Sequence, residues 1–218
     1  MRQLIPILIA AAAVLASIAP APRMAADAQL DKVHECAQRA ISGKCRKAHG
    51  AQEPEGLTTN PHILTLKTGT TYQFHSRANA DFHQRVALSL SDDHENALAA
   101  FEGSGEDDTI MFLTNGKLER TCIQPQGQDT DLYIHFRYKG APEGELVKSQ
   151  YVCYGAGEAD PGGGCPDVHA LDSEDSEDFD DNDSHLSILE IPNSNSGAID
   201  ALCPTPIHRT NGQKVIER

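Results

Sequence analysis

The fold class of this chain is decided by the stretch Leu132-Tyr133-Ile134-His135-Phe136-Arg137-Tyr138. Its apolar side chains stand at every second position, and the same alternation occurs upstream in Arg85-Val86-Ala87-Leu88-Ser89-Leu90-Ser91. A period of two places successive side chains on opposite faces of a β-strand. Both stretches are therefore predicted to be strands with one buried face and one polar face.

Short segments of this kind recur between residues 60 and 154. They are rich in β-branched or aromatic residues, are separated by turn formers, and cover residues 62–66, 71–75, 85–91, 97–101, 109–114, 118–123, 132–138 and 145–153. Asn115-Gly116, between two apolar runs, is the strongest hairpin signal. About eight short strands without intervening helices predict a mainly β protein, an antiparallel β-sandwich or jelly roll, with this domain over residues 60–154.

A helical periodicity precedes the strands. Apolar residues recur there at spacings of three and four, at Leu30, Val33, Ala37, Ala40 and Ile41. This pattern is typical of a short amphipathic helix. Residues 29–48 are therefore predicted to form an N-terminal helix that packs on the main core.

The first 28 residues have the order of a secretory signal peptide. Arg2 precedes an uncharged apolar run at residues 4–19, and two prolines follow it. Ala26-Asp27-Ala28 is the best small-x-small cleavage site, which places the mature start near Gln29. Because the apolar run is shorter than the roughly 20 residues that span a bilayer, we expect a secreted or periplasmic protein without a membrane span.

Six cysteines stand at positions 36, 45, 122, 153, 165 and 203. An even number of cysteines in an exported chain predicts three disulfides, although sequence alone leaves the pairing open. Proximity along the chain favours Cys36 with Cys45, Cys122 with Cys153, and Cys165 with Cys203.

The negative charge of the chain is concentrated near its C-terminal end. Residues 158–200 hold 13 acidic side chains and no Lys or Arg, within a total formal net charge of −14. Such a run repels itself, so residues 155–218 are predicted to be an acidic, largely unstructured tail with a short disulfide-tied C-terminal segment. The charge also disfavours nucleic acid and anionic membrane surfaces as partners.

The order of features between residues 64 and 138 resembles the bacterial pre-peptidase C-terminal (PPC) domain. The resemblance runs through Leu66-Lys67-Thr68-Gly69-Thr70-Thr71-Tyr72-Gln73-Phe74, then the alternating strand at 86–90 and an acidic Gly-rich loop before Ile110-Met111-Phe112. It implies a β-sandwich accessory module without chemistry of its own. Some members bind calcium through acidic loops, which implies Glu106, Asp107 and Asp108 as candidate calcium ligands. The alternative is a solvated loop, because a full calcium shell needs about six to eight oxygens.

The sequence contains no recognisable catalytic motif, and no cofactor is expected apart from the possible calcium. It lacks a nucleophile elbow, a helical His-x-x-x-His pair, a phosphate loop and a Cys-x-x-Cys motif. We therefore expect a non-catalytic, exported accessory or binding protein, with ligand, partner and oligomeric state left open. The alternative is a small secreted hydrolase whose site is assembled from dispersed carboxylates and His75, His83 and His135. Solvated histidines on strand faces are the more common outcome for such residues.

Overall fold

The computed structural model describes residues 22–42, 56–114, 118–140, 144–158, 165–174, 183–203 and 208–210, with side chains from residue 28 onward. Two helices and twelve strands occur in these ranges. In chain order they are α1 (Pro22–Ile41), β1 (Leu57–Thr58), β2 (His62–Leu66), β3 (Thr70–Ser89), β4 (Ala99–Ile110), β5 (Phe112–Leu113), β6 (Arg120–Pro125), β7 (Thr130–Lys139), β8 (Val147–Lys148), β9 (Tyr151–Gly157), β10 (Val168–Glu174), β11 (Ser184–Pro192), α2 (Ser196–Leu202) and β12 (His208–Thr210).

The long strand β3 organises the sandwich, because its two halves belong to two parts of one continuous twelve-stranded sheet, which are called the first and second sheets below. Residues 70–78 pair with β11 on one side, and residues 72–75 pair with β6 on the other. Residues 83–89 pair with β7, and β4 pairs with residues 77–88, with register shifts on either side of Ala80. The first sheet therefore runs β1-β9-β10-β11-β3-β6-β12, and the second runs β5-β4-β3-β7 with β2 and β8 on the outer edge of β7. All pairs are antiparallel except β12 with β6.

The main core lies between the two sheets. Leu171, Leu186 and Ile188 from the first sheet share one buried cluster with Leu88 and Ile134 from the second. The alternating side chains of residues 72–74, 86–88 and 132–136 that the sequence assigned to the core are buried. The prediction of a mainly β, antiparallel sandwich with a short N-terminal helix is confirmed.

Helix α1 covers the outer face of the first sheet. Leu30, Val33, Ala37 and Ile41 are buried there, as the helical spacing predicted. Its last turn lies so close to β9 that a Cβ on Gly155 would come within 2.8 Å of the Ala40 carbonyl carbon. The helix begins at Pro22 and ends at Ile41, earlier at both ends than the predicted range 29–48, and so continues through the predicted cleavage site.

Several predicted boundaries differ from the structure. Segments 71–75 and 85–91 form one continuous strand, because the backbone keeps pairing across residues 76–84. The acidic loop around Asp107 and Asp108 lies within β4, and both residues adopt positive φ angles. Asn115-Gly116 lies outside the described residues.

The prediction of a largely unstructured tail is wrong for residues 155–157, 168–174 and 184–192, which form strands. Strand β11 pairs with β3 at nine register positions and with β10 at six, so it lies in the middle of the first sheet. Side chains on both of its faces are buried: Leu186 lies in the core between the two sheets, and Leu189 lies beneath α1. The acidic residues 175–182, which carried the prediction of disorder, lie outside the described residues.

The pairing favoured by chain proximity is also wrong. Cys36 of α1 bonds to Cys165, and Cys122 of β6 bonds to Cys203 after α2. Cys153 is disulfide-bonded as well, and Cys45 lies outside the described residues. The fold brings together cysteines that are 129 and 81 residues apart, so one bond ties α1 to the segment before β10 and the other ties the end of α2 to β6. Disulfides of this kind indicate an oxidising compartment.

Candidate functional site

An open, polar cavity lies on the outer face of the second sheet. Its volume is about 280 Å³, and its lining consists of Asn60, Pro61, Asp92, Asp93, His94, His135, Arg137 and Lys148. This volume is just below the usual range for ligand pockets, roughly 300–1,000 Å³. The lining is almost entirely polar or charged, so the cavity suits a small polar molecule.

Strands β7 and β8 supply the cationic wall of the cavity. Arg137 and Lys148 are direct partners in the antiparallel register, so their side chains leave the same face of the sheet. Arg137 donates from Nη2 to the Leu146 carbonyl oxygen at 2.6 Å, while its Nε is buried without a partner among the described residues. Burial lowers the pKa of Arg137, and the charge of Arg85 lowers it further against the opposing effect of Glu95.

Asn60 holds the cavity floor in place. Its Nδ2 donates to the Phe136 carbonyl at 2.9 Å and to the Ser149 carbonyl at 3.0 Å, and its Oδ1 accepts from the Phe136 N–H at 3.1 Å. The side chain thereby joins the loop before β2 to β7 and to the segment between β8 and β9. Its hydrogen-bonding groups are occupied by these structural contacts, so Asn60 positions the site and leaves recognition to its neighbours.

The loop between β3 and β4 forms the opposite wall. Asp93 closes this loop on itself: its Oδ1 accepts from the Glu95 N–H at 2.9 Å, and its Oδ2 accepts from the Asn96 side-chain amide at 2.7 Å. Asp92 is largely exposed, and its carboxylate lies 4.0 Å from His135 Nδ1. Of the two carboxylates, Asp92 is therefore the one with free acceptor capacity toward the cavity.

Two histidines lie between these walls. His135 is buried on β7, with Nε2 3.2 Å from the Ser89 hydroxyl, and its ring centroid is 6.0 Å from that of His94. Burial lowers the pKa of His135, and nearby His94 and Arg137 act in the same direction, while the Ser91 carbonyl and Asp92 oppose them. His135 is thus favoured in its neutral form, which can both donate and accept hydrogen bonds.

A second polar cluster is buried beneath α1. His34 donates from Nε2 to Asp108 Oδ2 at 2.7 Å, and its ring is 4.7 Å from that of His185 and 6.4 Å from that of His75. Arg77 bridges Asp108 at 3.3 Å and Asp31 at 2.7 Å. Burial is the main cause that lowers the pKa of His34, and it lowers the pKa of His75 to about 3.

Within this cluster, Ser187, His185 and Asp172 are arranged like a catalytic relay. The Ser187 hydroxyl lies 3.0 Å from His185 Nε2, and His185 Nδ1 contacts Asp172. However, the Ser187 side chain is buried, with 1% of the residue exposed. The residues on either side of it are paired with β3 in the sheet. An acyl-transfer site needs an accessible nucleophile and free donors for the oxyanion. The relay is therefore structural in this conformation.

A third chain of hydrogen bonds crosses the first sheet on its core side. Tyr154 donates to His169 Nδ1 at 2.7 Å, and His169 donates from Nε2 to Glu190 at 2.6 Å. His62 stacks on Tyr154 with ring centroids 4.8 Å apart, and burial lowers the pKa of His62 to about 4. Each polar group in this chain already has a partner, so it serves mainly to join β9, β10 and β11.

The structure separates the three histidines that the alternative hydrolase site required. His75 lies in the cluster beneath α1, His83 lies 3.5 Å from Glu102, and His135 lines the cavity. His75 and His135 are buried, so the expectation of solvated strand-face histidines is wrong for these two and holds for His83.

The predicted calcium ligands do not form a group of their own. Asp108 accepts hydrogen bonds from His34 and Arg77, whereas Glu106 and Asp107 are exposed. Among the described residues, no three His, Cys, Asp or Glu side chains are grouped as metal ligands. Calcium binding at 106–108 stays a prediction.

Sequence reasoning missed the cavity. Its residues come from four separate segments, and only the cross-strand register brings Arg137 beside Lys148. The available signal was weak: His135 and Arg137 alternate with the apolar residues of β7, and so share the polar face of that strand.

Comparison with known proteins gives a likeness of fold over part of the chain. No family model and no curated protein matches the sequence, so the pre-peptidase resemblance remains a resemblance. Among solved structures, the chain is similar to a high-affinity mannose-binding lectin of Ralstonia solanacearum, with 20% identity and a TM-score of 0.43. It is also similar to the C-terminal domain of the BC2L-C lectin from Burkholderia cenocepacia, with 15% identity and a TM-score of 0.42.

A third similar structure is the lectin CV2L of Chromobacterium violaceum in complex with alpha-methyl-fucoside, with 17% identity and a TM-score of 0.41. Each likeness covers 62% of this chain and 98% of the lectin. At these values the likeness carries no argument about the fold, and the ligands of those lectins say nothing about the cavity described above. None of the helices in the described part of the chain has the length and apolar character needed to cross a membrane.

Proposed function

We propose that this protein is an exported, non-catalytic binding protein that takes a small polar ligand in the cavity between β7, β8 and the β3–β4 loop. One observation carries the proposal: charged groups with unused hydrogen-bonding capacity face an open cavity only 280 Å³ in volume. The cluster beneath α1 and the Tyr154–His169–Glu190 chain are engaged in internal contacts. The export part of the proposal is supported by the signal-like first 28 residues and by the disulfides.

The lining supports binding in preference to catalysis. Its described residues include no Ser, Thr or Cys side chain that could form a covalent intermediate. Two buried serines contact histidines: Ser187 beneath α1, and Ser89, which lies 3.2 Å from His135 Nε2 and donates its hydroxyl to the Ser91 carbonyl. A fixed loop and a hydrogen-bonded floor give the cavity a preformed shape, which reduces the ordering cost of binding.

The test is a two-dimensional NMR titration of the full mature protein with five probes: glucose, glycerol, acetate, inorganic phosphate and glycine. We expect at least one probe to cause saturable shifts confined to residues 60–61, 92–94, 135–137 and 148. Shifts elsewhere, or no saturable shift with any probe, would contradict the proposal. Esterase or peptidase activity of the wild type that disappears in Ser187→Ala would contradict its non-catalytic part.

A further inference from the structure

We infer that the ligand of this cavity carries an anionic group, a carboxylate or a phosphate, and that Arg137 and Lys148 hold that group. This inference rests on the proposed binding function and specifies its ligand class. The remaining part of the ligand faces Asp92, which accepts a hydrogen bond from a hydroxyl or amino group.

A row of three cations crosses the second sheet at this point. Arg85 is the register partner of Arg137, and Arg137 is the register partner of Lys148. The three side chains therefore leave the same face of three neighbouring strands, β3, β7 and β8. Like charges that are directly opposite on adjacent strands destabilise a sheet. Such a row is complementary to a negative charge placed between its members.

Among the described residues, only Arg85, at one end of this row, has a carboxylate at ion-pair distance. Glu102 lies 3.5 Å from Arg85 Nε, across the next strand pair. Within the described residues, no carboxylate lies at ion-pair distance from the side chains of Arg137 or Lys148. Arg137 gives one N–H to a backbone carbonyl, and the Lys148 side chain is exposed. These two cations are the uncompensated pair, and both line the cavity.

The acidic groups of the opposite wall make no close ion pair with Arg137 or Lys148. Asp93 accepts from the Glu95 N–H and the Asn96 amide, and Glu95 lies 3.1 Å from His94 Nδ1 and acts on the charge of Arg137 from beyond ion-pair distance. Asp92 has one contact at 4.0 Å, to His135. The cavity therefore has a cationic wall and a single free carboxylate, which selects an anion that also carries a hydrogen-bond donor.

The experiment is an NMR titration of the full mature protein at constant ionic strength with acetate, inorganic phosphate and neutral glycerol. We expect saturable shifts at residues 135–137 and 148 with acetate, phosphate or both, and much weaker binding of glycerol. Saturation by acetate alone assigns a carboxylate, and saturation by phosphate alone assigns a phosphate group.

Variants of Lys148 test the residue assignment. Lys148→Gln should weaken anion binding about fivefold, which corresponds to one exposed ion pair, while Lys148→Arg keeps the charge and should retain binding. Lys32→Gln, which removes an exposed lysine from α1, is the matched control and should leave the affinity unchanged. A similar loss in Lys148→Gln and Lys32→Gln would show a nonspecific charge effect and overturn the inference.

The outcomes also separate this inference from the proposed function. If glycerol or glucose saturates the cavity and acetate, phosphate and glycine, whose carboxylate counts as an anionic group, do not, the binding function stands and the anionic ligand class is wrong. If no probe saturates the cavity, both fail.

Discussion

The Nε2 atom of His34 lies 2.7 Å from the Oδ2 atom of Asp108, which joins α1 to a strand 74 residues further along the chain. Arg77 contacts the same carboxylate and reaches Asp31 of the helix. Burial alone would raise the pKa of Asp108, but the hydrogen bond from His34 and the charges of His34 and Arg77 outweigh it and lower that pKa. The middle of α1 is thus held to the sheet by ionic and hydrogen-bonded contacts.

Asp108→Asn should lower the free energy of unfolding by about 1–2 kcal/mol, because it removes a charged acceptor shared by two donors. Asn tolerates the positive φ at this position, so the backbone is not the cause. The control is Asp107→Asn, an exposed neighbour with the same backbone conformation, which should change the stability by less than about 0.5 kcal/mol. Urea unfolding measures the stability of both variants. Equal losses in Asp108→Asn and Asp107→Asn would contradict the role given to Asp108.

Acid should destabilise the protein through His75. Its pKa is lowered to about 3 in the folded state, chiefly by burial, against 6.5 when exposed. The unfolded chain therefore binds a proton that the folded one excludes, so the stability is complete above pH 6.5 and declines as the pH falls toward 3. Between pH 7 and 5 this one group should remove about 2 kcal/mol.

The comparison of His75→Leu with the wild type isolates this effect. The leucine cannot be protonated, and His75 Nδ1 has no partner to lose among the described residues. We expect urea midpoints to fall less between pH 7 and 5 in His75→Leu than in the wild type. His83→Leu removes a partly exposed histidine and should leave the pH dependence as it is. An unchanged pH dependence in His75→Leu would show that other groups dominate, with His34 and His62 the next to test.

The disulfide between Cys122 and Cys203 should contribute strongly to stability. It closes a segment of 81 residues, and a loop of this length corresponds to about 4–5 kcal/mol in the chain-entropy model. Cys122→Ala with Cys203→Ala should therefore lower the urea midpoint by a large margin at neutral pH. Mass spectrometry of a non-reduced digest provides the check on connectivity: peptides joined as Cys122–Cys153 would refute the Cys122–Cys203 pairing.

Gly155→Ala should destabilise the contact between α1 and β9 by about 1–3 kcal/mol. The added methyl group would meet the backbone of Ala40 and Ile41, with Ile41 Cα at 2.9 Å, and backbone atoms cannot rotate away. Gly197→Ala is the control: no atom lies within 4 Å of the added carbon in α2, so the change should stabilise the helix by about 0.5–1 kcal/mol. Thermal unfolding distinguishes the two, and a neutral Gly155→Ala would mean that α1 can shift outward.

The spacing of apolar residues predicted strands correctly, whereas the acidic composition of the tail led to a wrong prediction. Alternation in residues 132–138 marked a strand whose apolar face is buried, and the spacing of Leu30, Val33, Ala37 and Ile41 marked a helix face that is buried as expected. Residues 184–192 also contain apolar residues such as Leu186, Ile188 and Ile191, but the prediction of disorder rested on the acidic run before them. Strand pairing on both sides of β11 stabilises this segment, and such pairing is a nonlocal interaction that composition does not record.

The sequence by itself determined the mainly β class, the amphipathic helix and the residues of the core, because burial of alternate side chains depends on neighbours in the chain. Only the tertiary structure decided the disulfide partners, the burial of His75 beneath α1, and the meeting of Arg137 with Lys148. These features depend on sheet register and on the packing of segments far apart in sequence. A change of one residue in register would move every side chain of a strand to the other face, so the cavity exists only in the folded sheet.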